Sequence, residues 1–285
     1  MAVSGTQSLV VRVNSAALTH LGRVRTINED AVMAGFPVFV VADGMGGHYA
    51  GDVASAIAAE EMGRLTELET VDLPAVQMRL DAARKRILDL EAAEAVREPG
   101  TTVSGVVIVD QGGVPHWLVL NLGDSRTYRL SNGRLEQLSV DHSEAEEMVA
   151  AGKLLRDQVR LYPRRNVLTK ALGAGVFDNP DYRLIPVVES DRILVCTDGL
   201  TSEVGDPEIA ACLLENPDPG SAAEALLRAA MASGGRDNIS IIVLDAWEVL
   251  GARAATPDNA ATGLADGSAH MDDDARGAVA TPGAH

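Results

Sequence analysis

Residues 128–138 read YRLSNGRLEQL and carry the signal that decides the type of sheet. Two short runs, Tyr128–Leu130 and Leu135–Leu138, flank the turn Ser131-Asn132-Gly133. An Asn-Gly pair between such runs predicts a tight β-hairpin, because both residues tolerate the positive φ of a two-residue turn. Strands joined by a hairpin are antiparallel, so we predict antiparallel sheets.

Short apolar runs lie on both sides of this hairpin along the chain. Their length and their Val and Ile content favour strands over helices. We therefore predict strands at Leu9–Val13, Val38–Val41, Val103–Val109, Trp117–Leu122, Ile193–Cys196 and Ile239–Leu244.

Three other stretches have apolar residues at helical spacing. Leu73–Val96 is the clearest, and Ala50–Leu65 and Ser221–Ala232 have the same pattern. These helices occur in separate blocks and do not alternate singly with strands. The order of elements therefore favours the α+β class, with helices packed outside two antiparallel sheets, over a parallel doubly wound sheet.

The composition is that of a globular chain with an aliphatic core: 46% of the residues are hydrophobic, 23% charged and 3% aromatic. One domain is the simplest interpretation of 285 residues. From Gly251 to His285, small and polar residues dominate, and such a segment buries too little surface to offset its ordering entropy. We predict one domain over residues 1–250 and a disordered tail over residues 251–285.

The formal net charge of −17 argues against a nucleic-acid partner, because binding to that backbone requires concentrated Lys and Arg. The chain has two cysteines, no signal-peptide pattern and no apolar run of the ~20 residues that span a bilayer. We therefore predict a cytoplasmic protein with no membrane partner. A phosphorylated ligand could bind only where a basic residue or a cation reverses the local field.

Aspartate beside glycine stands at the ends of predicted strands. The pairs are Asp43-Gly44, Gly123-Asp124, Asp198-Gly199 and, before a strand, Gly235-Arg236-Asp237. Carboxylates that converge repel one another, so such a cluster takes up protons or binds hard divalent cations. Ligation by oxygen alone selects Mg²⁺, Mn²⁺ or Ca²⁺ over Zn²⁺. The alternative, that Asp-Gly only marks turns, explains one pair better than it explains the set.

These pairs belong to an ordered series of motifs that extends from Val11 to about Asp245. The series is Arg25–Asp30, Asp43–His48, Gly100–Thr102, Gly123–Arg126, Arg165–Gly173, Asp198–Leu200 and Gly235–Asn238. Each motif alone is weak, and the ordered set is specific. The chain resembles the bacterial PPM-type, metal-dependent family of protein serine/threonine phosphatases.

The resemblance implies a four-layer αββα sandwich whose two central sheets hold two Mn²⁺ or Mg²⁺ ions at one end. It implies that Asp43 bridges both ions and that Asp198 and Asp237 complete one of them. It also implies that the carbonyl of Gly44 binds the other ion.

The remaining acidic positions follow from the same resemblance. Glu29 and Asp30 would hold the waters of the second ion, and Asp124, shared with Asp198, matches a third, weaker metal position of bacterial members. Two close cations lower the pKa of a bridging water, so that a hydroxide attacks phosphorus in line without a covalent intermediate.

Arg25 would bind the phosphate oxygens, because its planar fork matches their geometry. The alternative is a surface salt bridge, since Arg25 stands four residues before Glu29. The general acid stays unassigned: eukaryotic relatives have a histidine two residues after the first metal aspartate, and Met45 stands there in this chain. His48 and a metal-bound water are the candidates.

The segment Ser143–Arg165 corresponds to the variable flap of the family. A solvated helix face explains most of its charge, and some of its arginines are candidates for steering phosphopeptides. We expect His20, His116 and His142 to be structural.

The expected partners are phosphorylated proteins, the substrates of a serine/threonine kinase, and the expected state is a monomer. A cysteine phosphatase is excluded, because Ser202 and Asp218 stand where its arginine would follow Cys196 and Cys212. A Gly-x-x-x-x-Gly-Lys phosphate loop is absent from the sequence. The rivals left open are a catalytically silent phosphoprotein-binding module and a hydrolase of small phosphoesters.

Overall fold

The hairpin predicted around Asn132-Gly133 forms in the computed structural model, and both residues have positive φ, 51° and 75°. The structure describes residues 10–46, 50–94, 99–173 and 179–250. Leu9, His48 and the tail over residues 251–285 lie outside the described residues, so the tail stays a prediction.

The described chain alternates blocks of strands with blocks of helices. Two short 3-10 helices, Arg64–Glu67 and Arg156–Leu161, accompany them. The strands and helices are β1 (Val10–His20), β2 (Asp30–Gly35), β3 (Val38–Met45), α1 (Gly51–Gly63), α2 (Leu73–Glu94), β4 (Gly100–Thr101), β5 (Val103–Gln111), β6 (Val114–Leu122), β7 (Arg126–Ser131), β8 (Arg134–Gln137), α3 (Glu144–Ala150), β9 (Leu172–Gly173), β10 (Asp181–Pro186), β11 (Arg192–Cys196), α4 (Asp198–Thr201), α5 (Asp206–Glu215), α6 (Pro219–Ser233) and β12 (Ile239–Leu250).

The strands form two sheets. The first has the order β1-β12-β11-β7-β8, and the second has the order β10-β6-β5-β3-β4-β9, with β2 paired to β3. Every strand pair in these sheets is antiparallel. The parallel alternative is therefore excluded, and the α+β prediction is confirmed.

Three apolar clusters order the sheets and helices into layers. Val76 and Ile87 of α2 pack with α1 on the outer face of the second sheet. Leu213 of α5 and Leu226 of α6 pack on the outer face of the first sheet. Between the sheets lie buried side chains such as Trp117, and the resulting order of layers is helix, sheet, sheet, helix. The predicted four-layer αββα sandwich is confirmed.

Several elements differ from the sequence predictions. β1 continues to His20 and β12 to Leu250, each beyond the predicted apolar run. Each extension pairs with the apolar run predicted for the other strand, as Ala16 does with Val243 and Val249 does with Val11, so cross-strand pairing carries both strands beyond their own apolar runs. β2 and β10 were not predicted: the side chains of β2 are mostly half-buried and those of β10 are mostly exposed, so neither strand has the buried apolar run of a central strand.

No helix in the described ranges is long and apolar enough to cross a lipid bilayer.

A buried ionic contact links the two sheets just before the start of β11. The side chain of Asp191 is fully buried and accepts hydrogen bonds from Nε1 of Trp117 at 3.1 Å, on the second sheet, and from Nε of Arg129 at 2.8 Å, on the first. The backbone N–H of Val188 donates to the same carboxylate at 3.0 Å. Removing this acceptor would leave a charge and two N–H groups without partners in the interior.

We predict that Asp191→Ala lowers the free energy of unfolding by about 3–5 kcal/mol, the cost of breaking a buried ion pair. Urea denaturation measures this loss. The matched control is Glu136→Ala, which removes the exposed partner of Arg183, 3.1 Å away, and should cost less than about 1 kcal/mol. Equal losses for the two variants would contradict the prediction.

Candidate active site

Aspartates from both sheets lie at one end of the sandwich, where the sequence predicts them. On the second sheet, Asp30 at the start of β2 is the register partner of Asp43 near the end of β3. On the first, Thr197 alone separates Asp198, which opens α4, from β11, and Asn238 alone separates Asp237 from β12. Asp124 lies in the turn between β6 and β7. All of these side chains are partly buried, which describes a cleft open to solvent on one side.

Two of the glycines in the Asp-Gly pairs permit close backbone packing. A Cβ on Gly44 would lie 2.1 Å from the carbonyl oxygen of Gly51, and a Cβ on Gly199 would lie 1.9 Å from the carbonyl oxygen of Asn238. No side chain fits at such distances, so each glycine lets its own backbone pack directly against a neighbouring backbone segment. The Asp-Gly pairs therefore do more than mark turns.

A pair of hydroxyl groups connects the Asp43 strand to the Asp124 turn. The backbone N–H of Asp43 donates to Oγ1 of Thr102 at 3.0 Å, and that oxygen lies 2.8 Å from Oγ of Ser125. The backbone N–H of Thr102 returns a bond to the carbonyl of Asp43 at 2.9 Å. These contacts fix the turn that carries Asp124 against the strand that carries Asp43.

Asp30 is held by hydroxyl groups of the other sheet. Its Oδ2 accepts hydrogen bonds from Oγ1 of Thr197 at 2.9 Å and from Oγ of Ser240 at 2.7 Å. Its Oδ1 is buried and has no hydrogen-bond partner among the residues that the structure describes. A buried carboxylate oxygen without a partner is costly, so this atom is a strong candidate to meet a cation or a water.

Burial and mutual repulsion raise the pKa of the clustered carboxyl groups. Burial raises the pKa of Asp43 well above its usual range, and the charges of Asp30, Asp198 and Asp124 raise it further. Burial likewise raises the pKa of Asp30 to about 7 and that of Asp198 to about 6. A hydrogen bond between Asp43 and Asp198 lowers the pKa of Asp198 in part. The cluster therefore favours added positive charge, from protons or from cations.

The donor atoms fit a hard divalent cation in their chemistry. Every candidate ligand is a carboxylate or a backbone carbonyl, the donors that Mg²⁺ and Mn²⁺ prefer. As the side chains lie, no three Asp, Glu, His or Cys residues of the described ranges form a ready metal-binding group. Two observations therefore support the fit of this site to a divalent cation: Oδ1 of Asp30 has no partner within the described ranges, and the aspartates repel one another.

Arg25 lies at the rim of the aspartate cluster. Its Nη2 donates to Oδ2 of Asp237 at 2.8 Å, and 49% of its side chain is exposed. Of the two alternatives for Arg25, the salt bridge exists, but its partner is Asp237 and not Glu29. The backbone N–H of Glu29 donates to Oδ1 of Asn238 at 2.9 Å, and burial raises the pKa of the Glu29 side chain.

A second set of contacts fixes the Asp124 turn to the base of the flap. Nδ1 of His142 accepts from the backbone N–H of Gly123 at 3.1 Å, and Nε2 lies 3.1 Å from Oδ2 of Asp181. Burial lowers the pKa of His142, which favours the neutral ring that these contacts require. His142 therefore has the structural role expected from the sequence.

The flap forms one wall of a cleft of about 330 Å³ that includes Asp124 and Asp198. Its helical part is short: α3 is followed by a 3-10 helix, and Ser143 caps α3 through the backbone N–H of Glu146. Arg160 and Arg165 line this cleft, and neither belongs to an ion pair within the described ranges.

Sequence reasoning missed the hydroxyl residues that position the aspartates. Thr197 and Ser125 are direct neighbours of Asp198 and Asp124 in the sequence, so a search for Ser or Thr beside each acidic motif would have found them. Thr102 belongs to the Gly100–Thr102 motif, but the sequence did not reveal its contact with the backbone of Asp43. Ser240 carries a weaker signal, because it lies within the apolar run of β12 and far along the chain from Asp30, the carboxylate that it contacts.

The sequence of this chain is similar to those of known protein phosphatases. Residues 22–228 match the family described as Protein phosphatase 2C. The serine/threonine phosphatase stp of Listeria welshimeri is 31% identical over 239 residues, which cover 80% of this chain and 93% of that protein.

Solved structures agree with the sequence comparison. The serine/threonine phosphatase PstP/Ppp of Mycobacterium tuberculosis has a TM-score of 0.77 and 30% identity, and the match covers 84% of this chain and all of that one, 100%. The catalytic domain of PstP in complex with 2 manganese ions has a TM-score of 0.76 and 29% identity, with coverage of 84% and 100%.

We predict that, in a chelator, the protein becomes less stable as the pH rises. The carboxyl pKa of Asp30 is about 7 in the folded chain against 3.8 for the free group, so the folded state binds more protons and stability is lost as pH rises through about 7. We expect the melting temperature to fall by at least about 2–4 °C between pH 5 and pH 8, the shift that corresponds to ~1 kcal/mol.

Two comparisons make this measurement specific. Added Mn²⁺ should raise the melting temperature more at pH 8 than at pH 5, because ionised carboxylates bind it better. Asp30→Asn should flatten the decline, whereas Asp89→Asn, at an exposed ion pair with Lys85, should leave it unchanged. A melting temperature that rises with pH in the chelator would contradict the prediction.

Proposed function

We propose a substrate class and a mechanism from one premise: this chain belongs to the protein phosphatase 2C family, the bacterial PPM type, and is a protein serine/threonine phosphatase. The proposed reaction is the metal-dependent hydrolysis of phosphoserine and phosphothreonine in proteins. The observation that carries the proposal is the convergence of aspartates from both sheets on one partly open cleft, with one buried oxygen left unpartnered.

The proposed ligands for two Mn²⁺ or Mg²⁺ ions are Asp43, Asp198, Asp237 and the carbonyl of Gly44. Glu29 and Asp30 would hold bound waters, and Asp124 with Asp198 would hold a third ion. When bound, the ions would supply the positive charge that lowers the pKa of water toward neutrality and neutralises the phosphate. The need for this charge agrees with the raised pKa values of Asp43 and Asp124.

Arg25 orients the phosphate in this proposal. Its bond to Asp237 uses only Nη2, and the guanidinium group is half-exposed at the rim of the cleft. The remaining N–H groups can donate to two phosphate oxygens in the parallel geometry that arginine favours. A phosphoester bound there would have its phosphorus directed toward the aspartates.

A protein substrate is favoured over a small phosphoester by the cleft beneath the flap. The cleft extends away from Asp124 and Asp198 past Arg160 and Arg165, whose guanidinium groups have no ion pair within the described ranges. A peptide on either side of a phosphorylated residue could occupy this space, whereas a small ester would leave it empty. The partner kinase, the monomeric state and the cytoplasmic location stay predictions.

A thiol mechanism has no support in the site. Cys196 is fully buried, and burial raises the pKa of its thiol to about 12, so it is not a thiolate at neutral pH. A catalytically silent binding module would need no intact set of acidic residues, and Asp30, Asp43 and Asp237 are all present in the aspartate cluster. The proton donor to the leaving group stays unassigned, since Met45 ends β3 and His48 lies outside the described residues.

We predict that Asp43→Asn and Asp237→Asn each lower Mn²⁺-dependent hydrolysis of a phosphothreonine peptide by more than about 100-fold, because loss of even an outer partner of a metal site commonly costs 10–100-fold. The assay is phosphate release in Mn²⁺, with circular dichroism as a check of folding. Asp89→Asn is the matched control and should keep full activity.

The same assay tests the metal requirement. A chelator should abolish phosphate release, and a thiol-directed inhibitor should have no effect. Turnover that persists in folded Asp43→Asn, or in the chelator, would refute the proposed function.

We predict that Arg25→Lys raises the KM for the phosphopeptide roughly 10-fold, because lysine keeps the charge and loses the planar fork. Steady-state kinetics with the peptide and with free p-nitrophenyl phosphate measure this effect. The control is Arg183→Lys, at an exposed pair with Glu136 outside the lining of the cleft, which should leave the KM unchanged. An unchanged KM in Arg25→Lys would mean that Arg25 serves only its bridge to Asp237.

A further inference from the structure

We propose that Thr197 and Ser240 are positioning residues: their hydroxyl groups fix Oδ2 of Asp30 so that Oδ1 is presented to the reactive end of the cleft. The inference rests on the proposed function, because it gives Asp30 a defined geometry toward bound water or a cation. Both residues act through Asp30, and neither is a proposed metal ligand.

The two hydroxyl groups come from strands that lie across the sandwich from Asp30. Thr197 follows β11 and Ser240 lies in β12, both on the first sheet, while Asp30 begins β2 on the second. Thr197 and Ser240 are fully buried, and their oxygens lie 2.9 Å and 2.7 Å from the same carboxylate oxygen. The contact is therefore a rigid link between the sheets.

The direction of each hydrogen bond can be assigned from the donors available. Nδ2 of Asn28 donates to Oγ1 of Thr19 at 2.8 Å, and Oγ1 of Thr19 lies 2.9 Å from Oγ of Ser240. Because the hydroxyl hydrogen of Ser240 is directed to Asp30, Thr19 must donate to Ser240. The chain runs in one direction, from Asn28 to the carboxylate, and such chains strengthen each member.

The chain closes on the residue that it holds. The backbone N–H of Asp30 donates to Oδ1 of Asn28 at 3.2 Å. Asn28 therefore contacts the backbone of Asp30 directly and the carboxylate of Asp30 through the series of hydrogen bonds. Thr197 is fixed in turn, since its Oγ1 accepts from the backbone N–H of Ser240 at 3.0 Å. Rotation of the Asp30 side chain would break two bonds to buried hydroxyls.

The result is a carboxylate with unequal oxygens. Oδ2 has two donors, and Oδ1 is buried with no partner, one of few such side-chain atoms in the described ranges. A carboxylate that served only to join the sheets would gain by sharing donors between both oxygens. Holding one oxygen and leaving the other free is instead what an arrangement for binding requires.

The test is Thr197→Val in the full chain, which keeps the shape of the side chain and removes the hydroxyl. Isothermal titration should give Mn²⁺ binding weaker by roughly 10–100-fold, the usual cost of losing an outer partner. With the phosphothreonine peptide, kcat should fall while KM stays within about 2-fold, because peptide binding uses other residues. Thr197→Ser should restore both values.

The matched control is Thr127→Val, the same exchange at another fully buried threonine. Its Oγ1 lies 3.1 Å from Oγ of Ser104, and neither hydroxyl group bonds to a carboxylate of the described ranges. Thr127→Val should bind Mn²⁺ as the unaltered chain does. Ser240→Ala, on a different strand, is the second variant, and it should repeat the effect of Thr197→Val if that variant fails to fold.

The outcomes separate this inference from the proposed function. Mn²⁺ binding and kcat that are unchanged in Thr197→Val, no more reduced than in Thr127→Val, or not restored by Thr197→Ser would each overturn it. If the unaltered chain neither binds Mn²⁺ nor releases phosphate, the proposed function fails. In that case a crystal structure of Thr197→Val tests the positioning role separately. An Asp30 side chain with an unchanged rotamer would overturn the positioning role.

Discussion

Repulsion among aspartates brought together from two sheets is the constraint on which the rest of this structure depends. Burial alone raises the pKa of Asp43, and the charges of Asp30, Asp198 and Asp124 raise it further. A cluster of this kind holds together only if the scaffold is rigid and positive charge is supplied. Antiparallel sheets with apolar side chains interdigitating between them give that rigidity.

The contacts around the cluster serve its geometry. Gly44 and Gly199 bring backbone segments to distances at which a Cβ would collide with a carbonyl oxygen. Thr102 joins Asp43 to the turn that carries Asp124, and the Thr197 and Ser240 hydroxyls hold Asp30 across the sandwich. Neutral hydroxyl donors suit this role, because they bind a carboxylate without adding a charge that would compete with a cation.

The acidic surface and a phosphorylated substrate are compatible for a local reason. The chain has a net charge of −17, and a phosphoprotein brings more negative charge. At the cleft, however, the field can be reversed by bound cations, by Arg25 and by the guanidinium groups of Arg160 and Arg165, which form no ion pair with any described residue. Attraction there acts over short distances, since salt screens exposed charges beyond about 8–10 Å.

By itself, the sequence determined the class of fold and the acidic residues of the candidate active site. The turn at Asn132-Gly133 and the apolar runs indicated antiparallel sheets, and the Asp-Gly pairs indicated a carboxylate cluster, because turns and strand patterns are local properties. Only the tertiary structure decided that Arg25 pairs with Asp237, that β1 and β12 extend along each other, and that Thr197 and Ser240 hold Asp30. Those contacts join residues far apart in the chain, where no local spacing records which partners meet.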